Sequence, residues 1–212
     1  IFIDAWQLSA VDEYENKGKS EFFTKGFKTY SGARLAVGAL LIAGSRVITD
    51  LYLGEDYYDS WHYVPILVIA TTFSNLVNFY ASVYMAEKKS MLSMVTAGTG
   101  AVLNVVLNFI LIPVIGPYGA AIATAVSFVV VFVIRVINTK KFVNIKINYF
   151  TFIPSVVLLL AAAAVMIFEV AGEWGSFGIA CALAVCVILI NIKSLLAIVP
   201  LVLQRFFKKR KS

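Results

Sequence analysis

Apolar runs that reach or pass the roughly 18 residues needed to cross a bilayer recur along this chain, separated by short charged clusters. Of 212 residues, 60% are hydrophobic and only 14% are charged. The mean hydropathy is +0.87. No water-soluble domain needs so much apolar surface to fill its core. The runs therefore imply an all-α, polytopic membrane helical bundle.

A net charge of +6 raises the question of nucleic acid. The basic residues lie in clusters beside the apolar runs, as in loops that follow the positive-inside rule, so the expected partners are membrane lipids and not nucleic acid. Cys181 and Cys186 fall inside one run, about 140° apart on a helix, and read as two small hydrophobes and not a pair. The chain begins at Ile1 without a signal-peptide pattern. IFIDAW resembles the end of an earlier apolar helix, so the chain is expected to be a C-terminal piece of a longer protein.

Residues 1–28 are read as the end of that helix followed by a polar linker, part of it amphipathic at the membrane surface. Transmembrane spans are then expected at about 29–53, 61–85, 90–112, 118–137, 149–171 and 177–192, with a basic interfacial tail over 194–212. Trp61, His62 and Tyr63 at the start of the second span suggest an aromatic belt. Pro113, Gly116 and Pro117 form the turn between the third and fourth spans, where proline removes no needed helix hydrogen bond. No linker or short repeat marks a second domain, so 29–193 is one six-helix unit.

Six spans place alternate loops on opposite sides. One side collects Lys17, Lys19, Lys25, Lys28, Lys88, Lys89, Arg135, Lys140, Lys141, Lys146 and the basic tail. The other collects Glu55, Asp56, Asp59, Glu169 and Glu173, without Lys or Arg. Both termini of the piece are therefore expected in the cytoplasm.

Polar groups within spans mark bundle interior or a hydrated cavity. In the first span Gly32, Ala36, Ala39, Ala43, Arg46 and Asp50 share one helix face. An arginine at a helix centre costs about 2.5–3.5 kcal/mol to insert, which calls for a role. Arg46 either faces a transport cavity, oriented by Asp50 and attracting an anion, or forms a structural pair with Asp50 about 10 Å from the helix end. Arg34 reads as a snorkelling cation.

Thr71, Asn75, Asn78 and Ser82 share a face of the second span. Ser93, Ala97, Gly100, Asn104 and Asn108 do so in the third, and Gly116, Ala120, Ala123 and Ser127 in the fourth. These stripes either surround a hydrated pathway or pack helices by close approach and interhelical hydrogen bonds. Spans five and six show no polar stripe and are expected at the lipid-facing periphery. The single histidine, His62, reads as an interfacial anchor beside aromatics and not as a proton switch. No metal-ligand cluster, nucleotide loop or nucleophile–base motif is present in the sequence, so no cofactor, metal or catalytic residue is assigned.

The segment Leu103–Pro113, LNVVLNFILIP, followed by Gly116–Thr124, GPYGAAIAT, resembles the signature hairpin of bacterial polysaccharide exporters. These are the lipid-linked-oligosaccharide flippases of the multidrug/oligosaccharidyl-lipid/polysaccharide superfamily. LYLGEDYYDSW and the AEKKS turn are similar to the same family's second lobe. The resemblance implies one lobe of a two-lobe, MATE-like transporter whose missing N-terminal lobe completes a central cavity. It also implies a lipid-linked oligosaccharide substrate moved across the bacterial inner membrane by alternating access. Such a protein makes and breaks no bond and is not an enzyme. The cavity candidates are Arg46, Asp50, Asn75, Asn78, Asn104 and Asn108. The alternatives are a cation-coupled multidrug exporter or peptidoglycan-precursor flippase of the superfamily, or a non-transporting subunit of polysaccharide assembly.

Overall fold

A computed structural model of the chain describes residues 6–7, 9–11, 14, 18–52 and 60–197. Among the described residues, seven helices organise it: α1 (Lys19–Ala43), α2 (Ser45–Tyr52), α3 (Val64–Ala86), α4 (Ser90–Ile115), α5 (Pro117–Thr139), α6 (Tyr149–Ile167) and α7 (Gly172–Leu196). Five of these are long and apolar enough to cross a membrane, and the bent pair α1–α2 makes a sixth span when counted as one. The architecture is that of an all-α, multi-pass membrane bundle. The expected tail over 194–212 falls outside the described residues beyond Ala197, as do Glu55, Asp56 and Asp59.

The first span differs from expectation in two ways. Its helix begins at Lys19, inside the stretch read as a linker, and it does not continue straight to residue 53. It bends by 65° between Ala43 and Ser45. Gly44–Ser45 is a glycine–serine pair, a kind of site at which helices kink. The backbone remains satisfied through the break: Gly44 N donates to the Leu40 carbonyl at 2.9 Å and Ile48 N to the Gly44 carbonyl at 2.8 Å. Because of this bend, the face shared by Gly32 and Arg46 on a straight helix does not persist.

The α4–α5 hairpin forms where the sequence places it, although Pro113 is enclosed in the last turn of α4. Gly116 turns the chain with φ of +56°, a left-handed conformation that glycine adopts without a β-carbon clash. Pro117 then opens α5, its fixed φ suited to a first helical turn. At Gly119 a β-carbon would lie 2.5 Å from the Leu111 carbonyl carbon, so the two backbones touch there.

α5 packs against both α3 and α4, while α1 packs against α3, α6 and α7, and α6 lies along α7. An aromatic cluster fills the centre: Phe27 meets Phe79 and Tyr80 at centroid distances of 5.4 and 5.3 Å, and Phe132 meets Phe152 at 5.9 Å. Trp6 is stacked between Phe22 and Phe79 at 4.9 and 4.8 Å. Its Nε1 donates to Ser82 Oγ at 3.0 Å, so one indole joins the start of the chain to α1 and α3. Trp61 is buried, under the Arg46 guanidinium, and is thus a packing residue and not part of a lipid-facing belt.

α6 and α7 are not free of polar contacts. Asn191 Nδ2 donates to Ser155 Oγ at 2.7 Å, and both residues are buried. A β-carbon on Gly32 would sit 3.0 Å from Asn191 Oδ1 and 3.0 Å from Ser194 Cβ. The small face of α1 is therefore close-packed against α7 at Gly32. α4, by contrast, buries only Thr96 and Gly100, and it exposes Val102, Phe109 and Val114.

Candidate functional site

α5 forms the floor of a groove whose walls are α3 and α4. Both walls hold α5 closely but meet each other at few places, so the space between them is open. The groove has a volume of about 340 Å³ and is lined by Asn78 of α3, by Ala97, Ala101 and Asn104 of α4, and by Thr124, Ser127 and Arg135 of α5, among others. Small side chains on α4 leave the room, and amides and hydroxyls supply the polarity.

The hydrogen bonds are partly internal. Asn104 Nδ2 donates to Thr124 Oγ1 at 3.3 Å, and Asn108 Nδ2 donates to Asn104 Oδ1 at 3.0 Å. Thr124 and Ser127 hydroxyls donate back to the carbonyls of Ala120 and Ala123 at 2.8 and 2.7 Å. Asn108 Oδ1 is buried and accepts no hydrogen bond among the described residues. Asn108 lies beside a second, apolar groove of about 380 Å³, bordered by Val105, Phe109, Ile112 and Pro113.

Arg135 is the group that reading the sequence missed. It is 3% exposed, whereas charge clustering in the sequence groups it with the loop cations. Nε donates to Thr96 Oγ1 at 3.0 Å and Nη1 to the Val77 carbonyl at 2.8 Å. Nη2 donates to the Ser93 carbonyl at 3.1 Å and the Ser93 hydroxyl at 3.3 Å. The guanidinium thus ties α5 to α3 and α4 through neutral oxygens. Ion pairs among the described residues join Lys25 to Glu21, Lys89 to Glu87 and Arg46 to Glu169 and Glu173, and none includes Arg135. The signal was present: Ser127, Val131 and Arg135 follow in steps of four and extend the small stripe of the fourth span.

Arg46 occupies a different place. Its Nη1 lies 3.1 Å from Glu169 Oε1, its Nη2 pairs with Glu173, and its Cζ lies 5.0 Å from the Trp61 ring centroid. Asp50, expected to orient it, is exposed on α2 and is not among these carboxylates. The bend at Gly44 takes Arg46 off the line of the α1 face, and carboxylates from outside α2 engage its guanidinium. Asn75 also lies apart from the groove. It accepts from Tyr30 OH at 3.4 Å and donates to the Thr71 carbonyl at 2.7 Å, within the α1–α3 contact. Of the six candidates the structure brings Asn78 and Asn104 into one groove, attaches Asn108 through Asn104, and leaves Arg46, Asp50 and Asn75 outside it.

Three histidine, cysteine or acidic side chains placed to hold a metal ion do not occur together among the described residues. No family model, curated protein or solved structure matches the chain.

Proposed function

We propose that the chain is the C-terminal part of a bacterial membrane transporter that carries a polyprenyl-pyrophosphate-linked oligosaccharide from the cytoplasmic to the outer leaflet. In this reading the bundle is one lobe of a two-lobe, alternating-access flippase of the inner membrane, serving cell-surface polysaccharide assembly. The basic end, with Lys88, Lys89, Lys140 and Lys141, faces the cytoplasm. The protein makes and breaks no chemical bond.

The observation that carries the proposal is the groove between α3, α4 and α5, lined by Asn78, Asn104, Thr124 and Arg135 within an otherwise apolar bundle. Amides and hydroxyls offer the donors and acceptors that sugars need, a cation offsets phosphate charge, and an isoprenoid tail can remain in the bilayer. The LNVVLNFILIP and GPYGAAIAT segments that resemble the flippase hairpin lie on α4 and α5 and contribute Asn104 and Thr124 to this groove. Its lining includes an arginine and no carboxylate, a charge balance suited to an anion and not to a cationic drug.

The test is glycan export in cells that depend on the full-length protein. Replacing Asn78 and Asn104 together by leucine removes the amides and retains similar volume. Surface glycan is expected to fall by about tenfold or more, the equivalent of about 1.4 kcal/mol of lost interaction, with insertion and abundance unchanged. Export at the wild-type rate from a normally inserted variant contradicts the reading.

A further inference from the structure

Arg135 is a buried cation whose neighbours do not neutralise it. A guanidinium has five N–H donors. Nε and Nη2 are engaged by Thr96 and Ser93, Nη1, with two hydrogens, donates to the Val77 carbonyl alone among the described residues, and Cζ lies 5.7 Å from the Tyr84 ring centroid. The charge is held in place by oxygens that carry no formal charge, and Arg135 itself forms part of the groove lining. A buried charge without a counter-charge is costly, and within a membrane it is a functional-site hypothesis by default.

The surroundings of Arg135 favour one kind of counter-charge. Lys89 Nζ lies 4.3 Å from the Phe142 ring centroid, and Tyr84 meets the same ring at 6.4 Å. These contacts bring the α3–α4 turn and the end of α5 to one end of the bundle. Lys88, Lys89, Lys140 and Lys141 thus share that end with Arg135, four residues inside α5 from its last residue. Glu87, the carboxylate of that turn, is engaged by Tyr14 and Lys89. Basic clusters at a membrane surface attract anionic headgroups, and a hydrogen bond from a charged donor to phosphate is stronger than one between neutral groups.

We infer that Arg135 and the adjoining end of the α3–α4–α5 groove form a binding site for the phosphate of an anionic lipid. The headgroup enters from the lysine-rich end and meets the free Nη1 hydrogen, and Ala97 and Ala101 provide room for it. This goes beyond the transport reading, because the site stands whether the lipid is carried across or remains resident. Two sources supply the same chemistry: a polyprenyl phosphate, or a phospholipid of the bulk membrane.

The experiment uses the full chain purified in a non-ionic detergent, titrated separately with a polyprenyl phosphate, phosphatidylglycerol and neutral diacylglycerol, with bound lipid counted by native mass spectrometry. Wild type is expected to retain at least one of the phosphate lipids over diacylglycerol. Arg135→Lys retains most of that binding, whereas Arg135→Gln lowers apparent affinity by about tenfold. Selective retention of the polyprenyl phosphate identifies a substrate anchor. Equal retention of phosphatidylglycerol identifies a resident lipid site. Equal binding by wild type and a folded Arg135→Gln protein overturns the inference, as does wild type that prefers neither phosphate lipid. If Arg135→Gln does not fold, Ala101→Trp, which fills the groove and leaves the guanidinium in place, decides: reduced binding supports the site and undiminished binding overturns it.

Discussion

Arg46 of α2 lies 3.1 Å from Glu169 of the α6–α7 turn, joining two parts of the chain that are 123 residues apart. Glu169 holds a left-handed backbone with φ of 44°, which is unusual for a residue with a side chain. Glu173 adds a second carboxylate to the same guanidinium. The pair is partly open to solvent, at 22% and 39% side-chain exposure, so screening limits its strength. A double-mutant cycle with Arg46→Ala and Glu169→Ala should yield a coupling of about 0.5–1 kcal/mol in thermal or denaturant unfolding. The coupling should shrink as salt is raised. A coupling of zero at low salt contradicts the clasp.

Glu87 supplies a pH dependence. Its carboxyl is held below the usual carboxylate range chiefly by the hydrogen bond from Tyr14, with Lys89 and Lys19 adding to the effect. Tyr14, in turn, is pushed up by burial and by the same hydrogen bond. The folded form therefore binds this proton less readily than the unfolded form. Stability from the pair is complete above the unfolded carboxyl value of about 4.3 and is lost as pH falls through the lower, folded value. Thermal unfolding followed from pH 6 down to 3, values chosen to bracket that transition, should show a smaller acid loss in Tyr14→Phe than in wild type. Equal losses would mean that the hydrogen bond does not set the carboxyl's affinity.

Asn191 and Ser155 join α7 to α6 by a buried hydrogen bond of 2.7 Å. Interhelical hydrogen bonds in membrane proteins contribute about 0.6 kcal/mol on average and at most about 1.7. Asn191→Ala should destabilise the bundle by an amount in that range, read by unfolding in mixed micelles. Gly32→Leu should cost more, because its added side chain enters the space held by Asn191 and Ser194. If Gly32→Leu is neutral, α1 and α7 are not in contact.

Gly119 makes a parallel prediction at the hairpin. A β-carbon there would lie 2.5 Å from Leu111 backbone, and backbone cannot yield as a flexible side chain does. Gly119→Ala should cost about 1–3 kcal/mol by overpacking. Gly98→Ala, where no atom lies within 4 Å of the added carbon, serves as the tolerant control. Equal stability of the two variants contradicts the close approach of α4 and α5.

The membrane spans and the α4–α5 turn were legible because long apolar runs and a Pro/Gly turn act locally. The bend at Gly44 was not, since an apolar stretch reads as continuous whether or not a glycine–serine pair in it bends. That single break takes Arg46 off the line of the α1 face assigned to it, and Glu169 and Glu173 engage it instead. Asn78 and Asn104 were legible as polar groups on helix faces, but which faces meet is decided by packing between helices. For the same reason the pairing of Asn191 with Ser155 is not legible: Asn191 reads as an interruption at the end of the sixth span, and its partner lies on another helix. Arg135 was hidden by its position near the end of α5, where charge clustering suggested a loop.

A hydrated polar groove is central to the proposed transport, and cysteine accessibility tests it most directly. In a background with Cys181→Ala and Cys186→Ala, single cysteines at Asn78, Ala101 and Phe109 are exposed in intact membranes to a membrane-impermeant maleimide. Cysteines at Asn78 and Ala101, which line the groove, should react readily, while a cysteine at Phe109, on the apolar exposed side of α4, should not. If positions 78 and 101 are as unreactive as 109, the groove is dry and the transport path does not run between α3, α4 and α5.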